Sequence, residues 1–473
     1  MVGMGNNNFD NLLSIEEDTK VLEYKFNFDD FLMWPIVRFL VFSKAIGQYN
    51  SNVPKVRTLK RDFLKYIALN IIRYPHFVSN KDIISFGTTL DNILINGKYF
   101  NRVHDYYNFL FADSTIFFEL PDGFTYRRPR VFSNTYYHDY MRAIPLLKSK
   151  LIRDIDNESR NMVIEFMEYL KSDFPVSFDT NFYDLIQTLL VKEAKRIKYR
   201  KQYFLKLIDK IKPKVLFLNC AYYGGESYMI KWAKERGIIT AEFQHGTISK
   251  SDPAYNYGEG VRNSQEYKKY VPDYLLTYGE YWNSQVRIPG KTYVVGNPHF
   301  YESIKRYENI KEEKETILII SQWTLTKEFV EITEYLAKHF RNKKILFKMH
   351  PREMDNFCMI EPLENFPNVQ IKKDGDVYEL LAKCENVVGC YSTAIFEALA
   401  FDKKKIYVLE NSFSRDEIPE DIGVRFKNGE ELAELIEVGI TNEKYLDLQH
   451  YFNSNWKKNY ISFINDELKL GIR

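Results

Sequence analysis

Three short stretches carry residue types suited to polar chemistry: Gln244-His245-Gly246, His350-Pro351-Arg352 and Tyr391-Ser392-Thr393. Each follows an apolar, β-like run, at 238–243, 344–349 and 386–390. An amide, an imidazole or a hydroxyl is costly to place at the end of such a run unless something polar meets it there. Ser392 and Thr393 are good N-caps for the helical pattern AIFEALAF that follows them, and the bare N–H groups of a helix start attract anions, phosphate above all. His350 can donate a hydrogen bond to a phosphate oxygen and stabilise charge as that phosphate departs. Each feature alone has an ordinary reading, a plain cap and a structural histidine; together they fit one anion site. Glu397 lies four residues beyond Thr393 on the same side of the helix, where a carboxylate suits ribose hydroxyls as well as it suits plain exposure. Gln322 follows the run 316–321 and joins the same polar gathering, with Pro351 beside His350.

These residues need strands to carry them, and the chain has an αβ rhythm. Apolar runs at 83–87, 114–120, 214–219, 238–243 and 274–279 form one set, and runs at 316–321, 344–349, 368–373, 386–390 and 405–409 a second. Helical patterns such as 327–340 and 376–384 separate them. Alternation of this kind predicts parallel strands covered on both faces, that is, doubly wound α/β sheets. Two sets predict two Rossmann-like domains. The seam is expected near KTYVVGNPHF, where Gly296-Asn297-Pro298 breaks helix and strand alike. The expected division is a first domain over 1–290, a second over 291–445, and a C-terminal helix over 446–473 packing back across the seam. The first 80 residues read as mostly helical, and the stretch from about 128 to 212 as a helical insertion in the first domain. In open sheets of this class, ligands gather at the carboxyl ends of the strands, which is where all three polar stretches stand.

Composition sets limits. A chain of 473 residues exceeds one ordinary core, and 45% hydrophobic residues argue for packed domains rather than disorder. A formal net charge of +2 gives no general electrostatic case for nucleic acid. Four cysteines without C-x-x-C spacing predict a reducing, cytoplasmic setting. The first eighteen residues carry neither a basic nor an apolar signal region, so no signal peptide is expected, and no apolar run approaches the roughly 20 residues of a membrane span. Two stretches keep a second reading open. The aromatic run 21–42 reads as a core helix or as a helix for a membrane surface or partner. The run 192–214, with ten Lys or Arg against two acids, reads as a solvated face or as attraction to an anionic membrane or an anionic polymer. Phosphate-loop, zinc-protease, cysteine-metal and G-x-S-x-G signatures are missing from the sequence, and no acidic D-x-D motif set for a metal-bound nucleotide is read in it, so a metal-independent mechanism without cofactor is expected.

Lys348-Met349-His350-Pro351 followed by Cys390-Tyr391-Ser392-Thr393-Ala394-Ile395-Phe396-Glu397 resembles the C-terminal half of GT-B transferases of bacterial surface polysaccharides. It is similar to CDP-glycerol glycerophosphotransferases and to bacterial sialyl- and Kdo-transferases, over roughly 210–410. Those families pair a His-Pro motif with a later Ser-Ser or Ser-Thr motif around the phosphate of a CMP or CDP donor. The glycerophosphotransferases usually carry aspartate where this chain has Cys390, which favours a sugar donor over CDP-glycerol.

The resemblance implies a GT-B fold, with the donor held by the second domain and the acceptor by the first. His245, at a first-domain strand end, would then face the cleft as the base that takes a proton from the acceptor hydroxyl, with Glu226 in reserve. Gln244, Gly246, Asp252 and Tyr255 are the expected acceptor-side residues, Gly246 by letting the backbone turn and the substrate approach. The implied reaction is an inverting transfer of a sugar from a nucleotide-activated donor, a CMP-activated acid sugar foremost, to a glycan or lipid-linked glycan at the inner face of the cytoplasmic membrane. The rival readings are glycerophosphate transfer, a non-hydrolysing UDP-sugar 2-epimerase, and a non-catalytic glycan-binding scaffold.

Overall fold

The computed structural model describes residues 6–47, 80–121, 126–401, 404–440 and 447–472. The helical expectation for residues 48–79 lies outside them. Two parallel sheets organise the chain, each with helices on both faces, and face one another across a cleft: the GT-B architecture.

The first sheet has seven strands, in the order Lys291–Val294, Tyr274–Thr277, Ile239–Phe243, Val215–Leu218, Ile83–Thr88, Thr115–Leu120, Thr135–Tyr137. Every pairing is parallel. Side chains alternate between two cores, as a period of two requires. Ile84, Phe86, Leu216 and Leu218 pack with the N-terminal helices and the insertion, whereas Ile83, Phe217, Ala241 and Phe243 pack under Trp456, Tyr460 and Phe463. The C-terminal helix Trp456–Ser462 therefore covers the face of the first sheet that the insertion leaves bare.

The second sheet has six strands, also all parallel, in the order Val369–Lys372, Lys344–Lys348, Glu313–Ile320, Cys384–Gly389, Lys405–Leu409, Val424–Phe426. Its order reverses between Glu313–Ile320 and Cys384–Gly389, so the crevice outside their carboxyl ends is the place where such a sheet binds a ligand.

The strand Lys291–Val294 pairs with Tyr274–Thr277, so it closes the first sheet and moves the seam past Val294, later than the expected boundary at 291. Together with Thr135–Tyr137 and Val424–Phe426 it is an edge strand of three or four residues; Lys291–Val294 and Val424–Phe426 are largely half-exposed, and Thr135–Tyr137 is mostly buried. Edges this short do not read as apolar runs, which is why the sequence reading passed over them. At the seam Gly296 holds φ +89°, and a Cβ there would meet the Asn453 carbonyl oxygen at 2.3 Å, so only glycine fits. Beyond it, Trp282 is fully buried against Phe396 of the second domain at 4.9 Å, and Phe452 stacks on Phe300 at 4.2 Å.

The insertion consists of Tyr140–Ser149, Asn157–Ser172 and Thr180–Ile211. The last runs 32 residues because its buried residues Phe182, Ile186, Leu190, Ile197, Phe204, Leu207 and Ile211 keep one face. Asp179 caps its start, and Lys212 ends it in the left-handed region just before Pro213. Within its basic run, Arg196 and Arg200 pair with Glu193, and Lys201 pairs with Asp29. The aromatic run 21–42 contributes Phe26, Phe31, Trp34, Val37, Val41 and Phe42 to the core, which leaves those side chains to the fold rather than to a surface. Among the described residues no helix is long and apolar enough to cross a membrane.

Candidate active site

A cavity of about 350 Å³ opens between the carboxyl ends of the two sheets. His245, Gln244 and Arg102 line it from the first domain, and Ser321, Lys348, His350, Pro351, Ser392, Thr393 and Glu397 from the second.

The second-domain wall is built around one buried carboxyl group. Glu353 accepts hydrogen bonds from the His350 backbone N–H at 2.6 Å, from Ser321 Oγ at 2.6 Å and from Thr326 Oγ1 at 2.6 Å. It thereby ties the ends of Glu313–Ile320 and Lys344–Lys348 to the start of the helix Thr326–His339. His350 Nδ1 accepts from the Arg352 backbone N–H at 3.1 Å. That bond assigns the ring proton of the neutral form to Nε2. Burial lowers the basicity of His350, and Arg352 and Lys348 lower it further against the opposing pull of Glu353. At neutral pH the imidazole is an uncharged Nε2–H donor. Pro351 opens the turn Pro351–Met359 at a position that needs no N–H.

Gln322 does not line the cavity. Its side chain grips the Tyr391 peptide from both sides, Oε1 accepting from N–H at 3.1 Å and Nε2 donating to the carbonyl at 3.2 Å. It holds the Ser392-Thr393 loop instead of a ligand. Ser392 Oγ accepts from the Ala394 N–H at 3.3 Å, and the helix Thr393–Glu397 is only five residues long. Its dipole is correspondingly small. Glu397 accepts from the Tyr378 hydroxyl at 2.6 Å, and burial raises its carboxyl to about 6. Cys390 points away into the core, its thiol on the Leu409 carbonyl.

On the first-domain wall, Gln244 ties two strand ends together. Its backbone N–H donates to the Leu276 carbonyl at 2.8 Å, its Oε1 accepts from Tyr278 N–H at 2.9 Å, and its Nε2 donates to the Gly246 carbonyl at 2.8 Å. Those bonds satisfy the buried amide and fix the backbone from which His245 projects. His245 Nε2 stands 3.5 Å from Cys220 Sγ, and Nδ1 stands 3.7 Å from Glu242 Oε1. Burial pulls His245 down to about 4, with Arg102 adding to the effect. Glu242 is buried as well, accepts from the Tyr222 N–H at 2.9 Å and the Tyr255 hydroxyl at 2.6 Å, and is pushed up to about 7 by desolvation. At rest the His245–Glu242 contact is therefore not an ion pair. At 3.7 Å it is not a hydrogen bond either, and a proton arriving on His245 would turn it into an ion pair only with Glu242 ionised.

Four expected residues stand elsewhere. Glu226 pairs with Arg142; burial opposes its charge, but Arg142 and His138 hold the carboxyl below its usual range. Asp252 accepts from the Ala254 N–H at 2.9 Å and is raised by burial to about 6. Tyr255 is buried, and its hydroxyl serves Glu242. Gly246 has no left-handed φ, and a Cβ there would meet nothing within 4 Å, so neither a turn nor a close approach requires glycine. Conversely, the sequence reading assigned no role to Arg102, Lys348, His299 or Tyr378, all of which line the cavity. Lys348 had a signal, since it stands two residues before His350 at a strand end. Arg102 had none, because a hairpin outside both sheets delivers it.

Residues 125–415 match the family model described as LIC12162 family transferase. Among solved structures, the chain is similar to the UDP-GlcNAc 2-epimerase of Methanocaldococcus jannaschii, with 13% identity, TM-score 0.45, and coverage of 81% of this chain and 99% of that one. It is similar to Staphylococcus aureus MnaA solved with UDP, with 12% identity, TM-score 0.49, and coverage of 82% and 97%. MurG of Acinetobacter baumannii aligns with 8% identity, TM-score 0.40, and coverage of 82% and 99%. No curated protein matches the chain by sequence.

Proposed function

The chain belongs to the LIC12162 family of transferases, and we propose that it is a glycosyltransferase moving a sugar from a nucleotide-activated donor to an acceptor hydroxyl. One observation carries this reading: a neutral Nε2–H donor and a lysine, His350 and Lys348, face an imidazole backed by a carboxyl group, His245 and Glu242, across one cavity. In the scheme, Lys348 and the Nε2–H of His350 receive the donor phosphate, with Ser392 and Thr393 beside them. The acceptor hydroxyl enters along the first-domain wall and attacks the anomeric carbon. His245 Nε2 gives up its contact with the Cys220 thiol, a weak partner, and takes the hydroxyl proton; Glu242 then stabilises the imidazolium. The C–O bond to phosphate breaks as the new glycosidic bond forms, and the phosphate leaves toward the second-domain wall. Attack and departure on opposite sides invert the anomeric centre. Lys348 and His350 meet the developing charge, so the scheme needs no metal. A cytidine donor, and an acceptor that is a growing bacterial surface glycan, rest on the motif resemblance.

Among the described residues, Glu397 is the one carboxylate lining the cavity, and it already accepts a hydrogen bond from Tyr378. A 2-epimerase, which must remove and return a proton on carbon, finds little support in that lining. The test is a thermal-shift screen of the full chain against CMP, CDP, UDP and GDP, with wild type and His350→Ala side by side. A nucleotide at 100 times its dissociation constant adds about 2.7 kcal/mol of stability to wild type. The expected result is that His350→Ala loses this stabilisation; equal stabilisation of both proteins would refute the phosphate role of His350. Conversion of free UDP-GlcNAc without an acceptor would replace the transferase reading by the epimerase one.

A further inference from the structure

Among the described residues, the hydrogen-bond partner of His245 Nε2 is the Cys220 thiol, 3.5 Å away. Nε2 is the nitrogen that receives the acceptor proton in the scheme above. Cys220 stands two residues beyond the strand Val215–Leu218, with φ +51° and ψ +38°, in the left-handed region where glycine costs least. It opens the short turn Ala221–Tyr223, which ends on Gly224 at φ +83°. A Cβ on Gly224 would meet the Pro35 carbonyl oxygen at 1.9 Å, so the turn lies tight against the start of the helix Trp34–Ala45.

This turn touches His245 and Glu242 at three points. The Tyr222 N–H donates to Glu242 Oε2 at 2.9 Å. The Tyr223 ring stands 5.9 Å from the imidazole and 4.3 Å from Phe39, measured between ring centres. The Cys220 sulfur meets Nε2. The other charged or titratable groups near the ring, His104 and Arg102, come from the segment after the hairpin Asn92–Ile95 and Lys98–Asn101. Neither takes Nε2. His104 Nδ1 bonds the Ser85 hydroxyl at 2.7 Å, and among the described residues the Arg102 guanidinium makes no hydrogen bond or ion pair.

A neutral imidazole carries one N–H, and the neighbours of the two nitrogens differ. Nδ1 faces oxygen, with Glu242 Oε1 at 3.7 Å. Nε2 faces a thiol that keeps its hydrogen: burial first, then the carboxyl groups of Glu242, Asp91 and Glu226, hold Cys220 well above the ordinary thiol range. Sulfur is a weak acceptor and an imidazole nitrogen a good one, so the S–H donates to Nε2 and the ring proton belongs on Nδ1. That tautomer leaves the Nε2 lone pair for a proton. Because the thiol is a weak donor, an acceptor hydroxyl displaces it at small cost.

We infer that Cys220 is a positioning residue: its thiol holds His245 in the proton-accepting tautomer and occupies at Nε2 the place that the acceptor hydroxyl takes. The inference rests on the base role given to His245 above. The thiol keeps its own proton throughout; the proton that moves is the one on the hydroxyl, and it goes to Nε2.

The experiment is imidazole nitrogen NMR of the full chain, isotopically labelled at its eight histidines, with His245→Asn identifying the His245 signals. Wild type, Cys220→Gly and Cys220→Ser are compared at neutral pH. Glycine suits the left-handed backbone, so Cys220→Gly removes the thiol and keeps the turn, which its melting temperature checks. Wild type and Cys220→Ser are expected to carry the proton on Nδ1, and Cys220→Gly to show a mixture with the Nε2–H form. Nucleotide release from CMP-N-acetylneuraminate or UDP-GlcNAc, whichever wild type turns over, should slow about three- to tenfold in Cys220→Gly, the scale of one hydrogen bond, with nucleotide affinity unchanged. Wild type with its proton on Nε2 overturns the inference, as does Cys220→Gly with the wild-type tautomer. Cys220→Ser behaving like Cys220→Gly overturns it too, by making bulk rather than the donated hydrogen the cause. A changed tautomer with an unchanged rate does the same. Near-wild-type release by His245→Asn would sink the base reading and this inference with it. An Nε2–H ring in a wild type whose turnover still needs His245 would sink this one alone.

Discussion

Replacing His245 by Asn or Ala separates proton transfer from binding. Burial and the Arg102 charge hold the free imidazole at about 4, some 2.5 below its usual 6.5. It is therefore neutral, with its nitrogen free to accept a proton, across the whole physiological range, but a weaker base than the imidazole near working pH that the sequence reading expected. The acid limb of kcat/KM, which reports the free enzyme, should fall near pH 4 rather than near 6.5. Activity is lost there because protonation occupies the nitrogen that must accept. An anionic donor bound beside Arg102 offsets the cation that depresses His245, so the acid limb of kcat, which reports the complex, should lie at higher pH. His245→Ala should lose about 10²- to 10⁴-fold in turnover, or about 2.7–5.4 kcal/mol of transition-state stabilisation. Nucleotide affinity should stay within about twofold, because Lys348 and His350 stand on the other domain. The assay is nucleotide release over pH 4–9, with the donor identified by the nucleotide screen and with folding checked at each pH. His245→Asn can still hydrogen-bond but cannot take a proton near neutrality, so its residual rate should lack the acid limb. Near-wild-type turnover in His245→Asn would refute the reasoning, make the residue a binding group and leave proton acceptance to Glu242.

Two further substitutions probe the groups that hold the site. Glu353→Ala leaves the His350 N–H and two hydroxyls without their acceptor and should cost about 3–5 kcal/mol in urea unfolding, with nucleotide binding at least about tenfold weaker and Glu353→Gln recovering most of both. Nucleotide affinity unchanged in a destabilised Glu353→Ala would confine the residue to folding. Glu417, at the contact between the domains, accepts from Thr247 Oγ1 at 3.4 Å and is raised to about 8 by burial, with Asp252 adding to it. A carboxyl whose folded value is raised stabilises below its unfolded value and loses that contribution as pH rises through about 8. Glu417→Gln does not titrate, so its advantage over wild type should grow between pH 5 and 8 by at most about 1.4 kcal/mol per pH unit and then level off. A gap in melting temperature that stays constant over pH 5–9 would show that Glu417 is not held neutral.

The two sheets were legible because buried parallel strands are apolar on both faces, and runs such as KVLFLN and KILFKM stand out against any helix period. The polar ends of those runs were legible for the same reason. Where an apolar run stops at a carboxyl end, some of the residues just beyond it face the crevice: Ser321, His350, Gln244, His245 and Tyr278 line the cavity, whereas Gln322 and Cys390 do not. The reasoning failed farther along the loops. Glu226 lies eight residues beyond Leu218, and Asp252 nine beyond Phe243. At about 3.3 Å per residue, loops of that length reach well away from the strand end that launched them. At Cys220 the backbone takes φ +51°, turning the chain toward the helix Ser227–Lys234 and away from the cleft. Gln244 and Gln322 illustrate a second limit. Each reads as a ligand-facing amide, yet each spends its donor and acceptor on backbone groups; apart from the Gly246 carbonyl in Gln244's own loop, those groups belong to a neighbouring loop and are set by strand order, not by local sequence. Arg102 illustrates the third. The chain has 66 lysines and arginines, and nothing in the residues around Arg102 separates a free guanidinium from the many that are paired. The distinction appears only when every acidic neighbour has been placed and found to be engaged elsewhere or out of reach. A binding cation is defined by the partners it lacks, and that is a property of the folded chain that a single sequence does not carry.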